Sequence, residues 1–229
     1  MALPIVETPR YECTLASQDM QVQYRPFLVK EEKILLVAME SKDNNEIINA
    51  TKQVIQACTY NKIDVDKLPM FDIEYLLLQI RAKSVGEISK FKVVCPDDKQ
   101  TVTDVELDLS TVEVQVEDDH TNKIVIDEKR NLGLVLNYPS LGITKAGFDV
   151  NKTDSDSMFN VICSCIDHIY EGDKVYPAKD STQKELKDFI ESITQKAFLD
   201  IKKFFETAPQ LRHEVEVTNP KTGVKSKVT

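Results

Sequence analysis

The sequence predicts an α+β chain: an N-terminal hairpin with three helices, a central antiparallel β segment, a C-terminal helix pair and a terminal β ribbon. Three observations predict it. Between Leu68 and Gly86 the apolar residues Ile73, Leu76, Leu77 and Ile80 recur at helical spacing, and from Glu87 the period drops to two. Helical spacing returns between Met158 and Phe205, and alternation returns after Arg212, where Val215 and Val217 are interleaved with Glu214 and Glu216.

Along the chain, Tyr11, Cys13 and Leu15 alternate with Glu12 and Thr14, and Met20, Val22 and Tyr24 resume the pattern after Ser17-Gln18-Asp19, which reads as a hairpin. Pro26 ends its second strand. Val29 to Met39, with Ile34, Leu35 and Ala38 behind the charged turn Lys30 to Lys33, reads as a short amphipathic helix. Asp43 or Asn44 caps a second helix, in which Ile47, Ile48, Thr51, Val54, Ile55 and Cys58 recur at spacings of three and four. Pro69 suits the first turn of the third and Gly86 its end, while Asp72 and Glu74 near the start and Arg81 and Lys83 near the finish complement the helix dipole. Phe71, Tyr75 and Leu78 widen its apolar stripe, so this helix needs cover on several sides and belongs to the core.

Ile88 to Cys95 and Gln100 to Leu109 flank the turn Pro96-Asp97-Asp98-Lys99 as a second hairpin. Val105, Leu107 and Leu109 face one way, while Asp104, Glu106 and Asp108 face the other; Val112, Val114 and Val116 continue the pattern opposite Glu113. One side of this segment is therefore expected to be strongly acidic, as a solvated face or a docking surface for a basic partner. Glu117 to His120 turns into a strand from Lys123 to Asp127, and Asn131 to Tyr138 reads as a connector with room for a short strand. Asp154 or Ser155 caps a helix through Met158, Ile162, Cys165, Ile166 and Ile169, ended by Gly172. Thr182 and Glu185 have capping-box spacing for a second long helix reaching Phe205, bent near Thr194, and the pair is expected to pack antiparallel. Val215 to Val228, turning at Asn219 to Gly223, makes a ribbon that pairs with the body or awaits a partner strand. The organisation is thus four segments, residues 1–90, 91–140, 141–211 and 212–229.

Composition narrows the classes. The 229 residues are 41% apolar, enough for a real core, and 38 acidic against 29 basic residues give a formal charge of −9. Broad attraction to nucleic acid or to an anionic membrane is disfavoured by that charge. The apolar run Ile34 to Met39 is far short of the ~20 residues that span a bilayer, and the first ten residues lack the layout of a secretory signal. Five scattered cysteines, an odd number, argue against a disulfide framework and for reduced, buried thiols.

Phe71-Asp72-Ile73-Glu74-Tyr75-Leu76-Leu77-Leu78-Gln79-Ile80-Arg81-Ala82-Lys83-Ser84-Val85-Gly86-Glu87 resembles the signature of the tail baseplate hub subunits of T-even-type phages, the gene-twenty-six product family. A second block, Tyr24-Arg25-Pro26-Phe27-Leu28-Val29-Lys30-Glu31-Glu32-Lys33-Ile34-Leu35-Leu36, resembles the same family upstream. The resemblance covers roughly the first hundred residues and neither block is catalytic. It implies a late phage protein that builds the central hub of the tail baseplate, as structural subunit or assembly chaperone. It also implies location in the host cytoplasm during assembly and, for a structural subunit, in the virion tail baseplate.

Chemistry is not legible beside it. Cys163, Cys165 and His168 form the sole cluster resembling a nucleophile or metal set, yet on a helix Cys163 and Cys165 point to different faces. Cys95 precedes only Asp97 and Asp98 where a zinc knuckle would place its second cysteine, and 6 glycines form no phosphate-binding loop. No catalytic residue, metal or cofactor is expected. The alternative class is a cysteine- or metal-dependent hydrolase of the phage tail. The leading expectation is a binding protein whose partners are other hub or tail proteins, with room for a homo-oligomer. Arg25, Phe27, Tyr75 and Arg81 are its candidate contacts, because aromatic and arginine side chains dominate interface energies.

Overall fold

The computed structural model describes residues 7–142 and 155–229. It is α+β, as expected. The chain divides into two compact units: one comprises the residues up to Val65, Phe71–Gln115 and Gln210–Thr229, the other Asp66–Met70 and Val116–Pro209.

In the first unit β1 (Tyr11–Leu15) and β2 (Met20–Tyr24) form the expected hairpin, with Tyr11 opposite Tyr24 and Leu15 opposite Met20. Three helices follow: α1 (Val29–Ser41), α2 (Asn44–Cys58) and α3 (Met70–Val85). Asp43 caps α2, its Oδ1 accepting from the Asn45 amide at 2.7 Å. Gly86, at φ +133°, ends α3 by donating its amide to the Ala82 carbonyl. Phe71, Ile73, Leu76 and Ile80 of α3 are buried, together with Leu15, Val22 and Tyr24 of the hairpin. Asp72, also buried, accepts the Ala16 amide (3.0 Å) and the Ser17 hydroxyl, which fastens the hairpin turn to α3.

β3 (Ile88–Val94) pairs with β4 (Val102–Asp108), and Asp98 organises the turn by accepting the Gln100 and Thr101 amides. The acidic side of β4 is answered by lysines, since Lys90 lies opposite Glu106, with which it forms an ion pair, and Lys92 lies opposite Asp104. The charge expected from β4 alone is thus largely neutralised by its partner strand. Past β4 the alternation is cut by a helical turn at Leu109–Thr111, leaving only β5 (Val114–Gln115), and Val116 is exposed. The partner of β5 is β10 (Gln210–Leu211), and β11 (Val215–Thr218) then pairs with β12 (Lys225–Val228) as the ribbon. The ribbon is clasped to its own chain: buried Asn219 donates both Nδ2 hydrogens to Asp97 (2.9 and 3.0 Å), and Thr222 Oγ1 donates to the same carboxylate (2.6 Å).

The second unit is built on a four-stranded antiparallel sheet in the order β6 (Lys123–Asp127), β7 (Leu132–Leu136), β8 (Ile166–Glu171), β9 (Lys174–Pro177). The short strand for which Asn131–Tyr138 had room is β7, an inner strand of the sheet, whereas one expectation is corrected: the helix expected to reach Ile169 stops at Cys165. Its continuation from Ile166 is rich in β-branched and aromatic residues and pairs on both sides, with β7 and β9, turning at Gly172 (φ +59°). That helix, α4, spans Ser155–Cys165, while the candidate cap Asp154 lies outside the described residues.

The long bent helix is two, α5 (Gln183–Ser192) and α6 (Gln195–Glu206). Thr194 breaks them because its hydroxyl caps α6, accepting from the Ala197 amide, while the Thr182–Glu185 box starts α5 as expected. Ile124, Leu134, Leu136, Ile162, Ile190, Ile201 and Phe204 form the core of this unit. Gly133 is required in β7: a Cβ there would lie 2.5 Å from the Ile124 carbonyl and 2.2 Å from the Tyr170 hydroxyl.

Candidate partner-docking surface

The block Tyr24–Leu36 starts in β2 and turns into α1. Leu28 at the cap position has no side-chain acceptor, so Glu31 bends back and takes the Leu28 amide at 2.7 Å and Arg25 Nη2 at 3.0 Å. Burial pushes the Glu31 carboxyl up, but those donors outweigh it and hold it below the usual carboxylate range. Arg25 also donates to the Pro26 carbonyl (2.9 Å), and its side chain is only 11% exposed, so it acts as an internal strut. Phe27 is half-buried and its amide donates to Ser84 Oγ (2.9 Å), whose own proton goes to the Ile80 carbonyl. The start of α1 is thereby sewn to the last turn of α3.

Arg81 is exposed one helical turn before Ser84. Tyr75, half-buried, stands apart on α3 toward Cys13 and Glu113; burial pushes its hydroxyl up, and those two groups add to the effect. Arg25 and Phe27 therefore share the α1–α3 junction, Arg81 lies below it, and Tyr75 lies elsewhere.

The outer face of α1 adds apolar candidates that residue type alone does not single out. Val29 is 80%, Leu36 55%, Val37 56% and Met39 65% exposed, while Ile34, Leu35 and Ala38 face inward. The signal was present: Ile34 to Met39 contains no polar residue and covers more than one helical turn, so some of its apolar side chains must point outward. Exposed apolar side chains grouped on one helix mark interaction sites, here with the exposed charges Glu32, Lys33 and Glu40 interspersed among them. The first unit also holds an apolar cavity of about 320 Å³, lined by Leu78, Val105 and Leu107 and by Val215, Val217 and Val228 of the ribbon.

Over residues 8–229 the chain matches the family described as T4 bacteriophage base plate protein. The chain belongs to that family. No match was found among curated proteins or solved structures. This base plate protein accordingly has a structural role in the phage baseplate, in contact with other baseplate proteins.

The perturbed groups of the base plate protein trace to burial and internal bonding. Burial pushes the Cys13 and Cys58 thiols up to about 11 and Cys165 to about 12, which favours their protonated form. Asp72 is raised by burial, against the hydrogen bonds it accepts. Cys163 and Cys165 are both buried, and His168 bonds to Asp167 beside it. Among the described residues no cluster of three or more His, Cys, Asp or Glu could hold a metal, and no helix is long and apolar enough to cross a membrane.

Proposed function

We propose that this base plate protein assembles the central hub of the baseplate through protein–protein contacts, as structural subunit or assembly chaperone, and without catalysis of its own. The observation that carries the reading is the exposed apolar face of α1, Val29, Leu36, Val37 and Met39, which continues the Tyr24–Leu36 block. A helix face of this kind suits docking against an apolar groove of another hub or tail protein. Arg81 supplies a charge at its edge, and Arg25 and Phe27 hold α1 in place. Tyr75 forms a separate contact.

Mass spectrometry of finished particles, beside pull-downs from infected cells, tests this. Fixed copy number in the particle with hub proteins captured marks a subunit; absence from the particle with the same capture marks a chaperone. Leu36→Glu combined with Met39→Glu is expected to lower hub-protein capture by roughly tenfold or more without loss of thermal stability, since both side chains already face solvent. Capture of no hub protein by the parent chain would sink the proposal.

A further inference from the structure

Helical geometry divides α1 into two opposite faces. Glu31, Ile34, Leu35 and Ala38, at spacings of three and four, are buried or half-buried against the protein. Lys33, Leu36, Val37 and Glu40 repeat the same spacings on the far side and are all exposed. Read along the helix, this outer face runs cation, two apolar side chains, anion. Among the described residues neither Lys33 nor Glu40 has an ion-pair partner, whereas Lys30 reaches Glu31 at 3.5 Å and Glu31 is taken up by Arg25. An unmet charge of each sign therefore flanks Leu36 and Val37, both more than half exposed.

That order is complementary to itself. Lay a second α1 antiparallel on the first, centred between Leu36 and Val37: Lys33 comes level with the copy's Glu40, Leu36 with its Val37, and symmetry repeats both contacts. Two opposite-charge pairs then bracket an apolar centre, and Glu32 meets the uncharged Ser41 of the copy. A parallel copy would instead set Lys33 on Lys33 and Glu40 on Glu40, so the charges fix the orientation. An unrelated partner would have to supply an acid opposite Lys33 and a base opposite Glu40 at matching separation. A second α1 carries both.

We infer that two copies of this chain associate through the outer faces of α1, antiparallel and centred between Leu36 and Val37. The contact is isologous and closes on itself, so it gives a dimer and not a filament. The overlap covers residues 32–41, about three turns, at the small end of specific interfaces, so the dimer is weak and depends on concentration. That the paired face is also the one that docks a hub protein rests on the function proposed above. On that reading the dimer covers these apolar side chains before assembly and gives them up to the hub partner.

Sedimentation equilibrium over a concentration series, beside hub-protein capture, separates the two ideas. The parent chain is expected to rise from monomer toward dimer mass. Lys33→Glu, or Glu40→Lys, is expected to weaken association by roughly tenfold or more, both sites being exposed. Mixing the two variants is expected to restore it, because one then carries two acids at these positions and the other two bases. The chain with both changes is expected to pair with itself as the parent does. Leu36→Glu puts two anions at the centre and is expected to abolish the dimer with an unchanged melting curve. A dimer indifferent to Leu36→Glu, or single variants that fail to pair on mixing, overturns the inference. A monomeric parent that still captures hub proteins overturns it too and leaves the docking reading standing, whereas a dimer with the expected charge dependence that captures none upholds the pairing and sinks the docking.

Discussion

Thr207 has one hydroxyl proton and donates it to the Lys203 carbonyl at 2.8 Å, so toward His120 Nδ1, also 2.8 Å away, its oxygen can only accept. His120 therefore carries its proton on Nδ1, and Nε2 accepts from the Tyr138 hydroxyl at 2.9 Å. The ring stacks on Tyr138 and Phe204, with centroids 5.6 and 5.2 Å away. Burial lowers its pKa, against the pull of Glu117 and Asp119. With the folded value below the unfolded one of about 6.5, the neutral imidazole contributes stability that is complete above that pH and is lost as pH falls through the folded value. Urea unfolding should therefore show a falling midpoint from pH 7 to pH 5, and His120→Gln should flatten that dependence. A slope unchanged by the substitution would assign it to other groups.

Glu31 does for α1 what a capping residue does elsewhere, from three positions inside the helix. Truncating it strands both the Leu28 amide and a nearly buried guanidinium, so Glu31→Ala should destabilise by about 3 kcal/mol in chemical unfolding, whereas Glu32→Ala on the exposed face should change little. Elements with local punctuation were legible in the sequence: Asp43 and the Thr182–Glu185 box marked helix starts, and Pro96 to Lys99 marked a hairpin. Illegible were elements whose identity depends on distant partners. Ile166 to Glu171 carries an apolar spacing compatible with helix and becomes a strand because β7 and β9 flank it. Leu132 to Leu136 has no polar alternation, being an inner strand, and so reads only as a connector with room for a short strand, its central place in the sheet being hidden. At the candidate surface, Phe27 and Arg81 could be picked by residue type, but the commitment of Arg25 to Glu31 is a tertiary fact.

At the scale of the whole molecule, the two units are not successive in sequence, because Gln210–Thr229 belongs with the residues before Gln115. Polar groups that hold that return include a two-residue strand pair, the Gln115 side chain donating to the Arg212 carbonyl, and the clasp of Asn219 and Thr222 on Asp97, beside the buried Val217 of the ribbon. Asn219→Ala should cost about 1–3 kcal/mol locally and speed tryptic cleavage at Arg212, with the core of the second unit retaining its amide protection. Equal cleavage rates for the variant and the parent chain would show that apolar contacts hold the ribbon unaided. The same arrangement imposes an order on synthesis. When the ribosome has made everything through Pro209, all the residues of the second unit exist, while the first still lacks β10, β11 and β12. The unit begun earlier is the one completed later, and until its last strands emerge, the apolar side chains of Leu78, Val105 and Leu107 lack their cover.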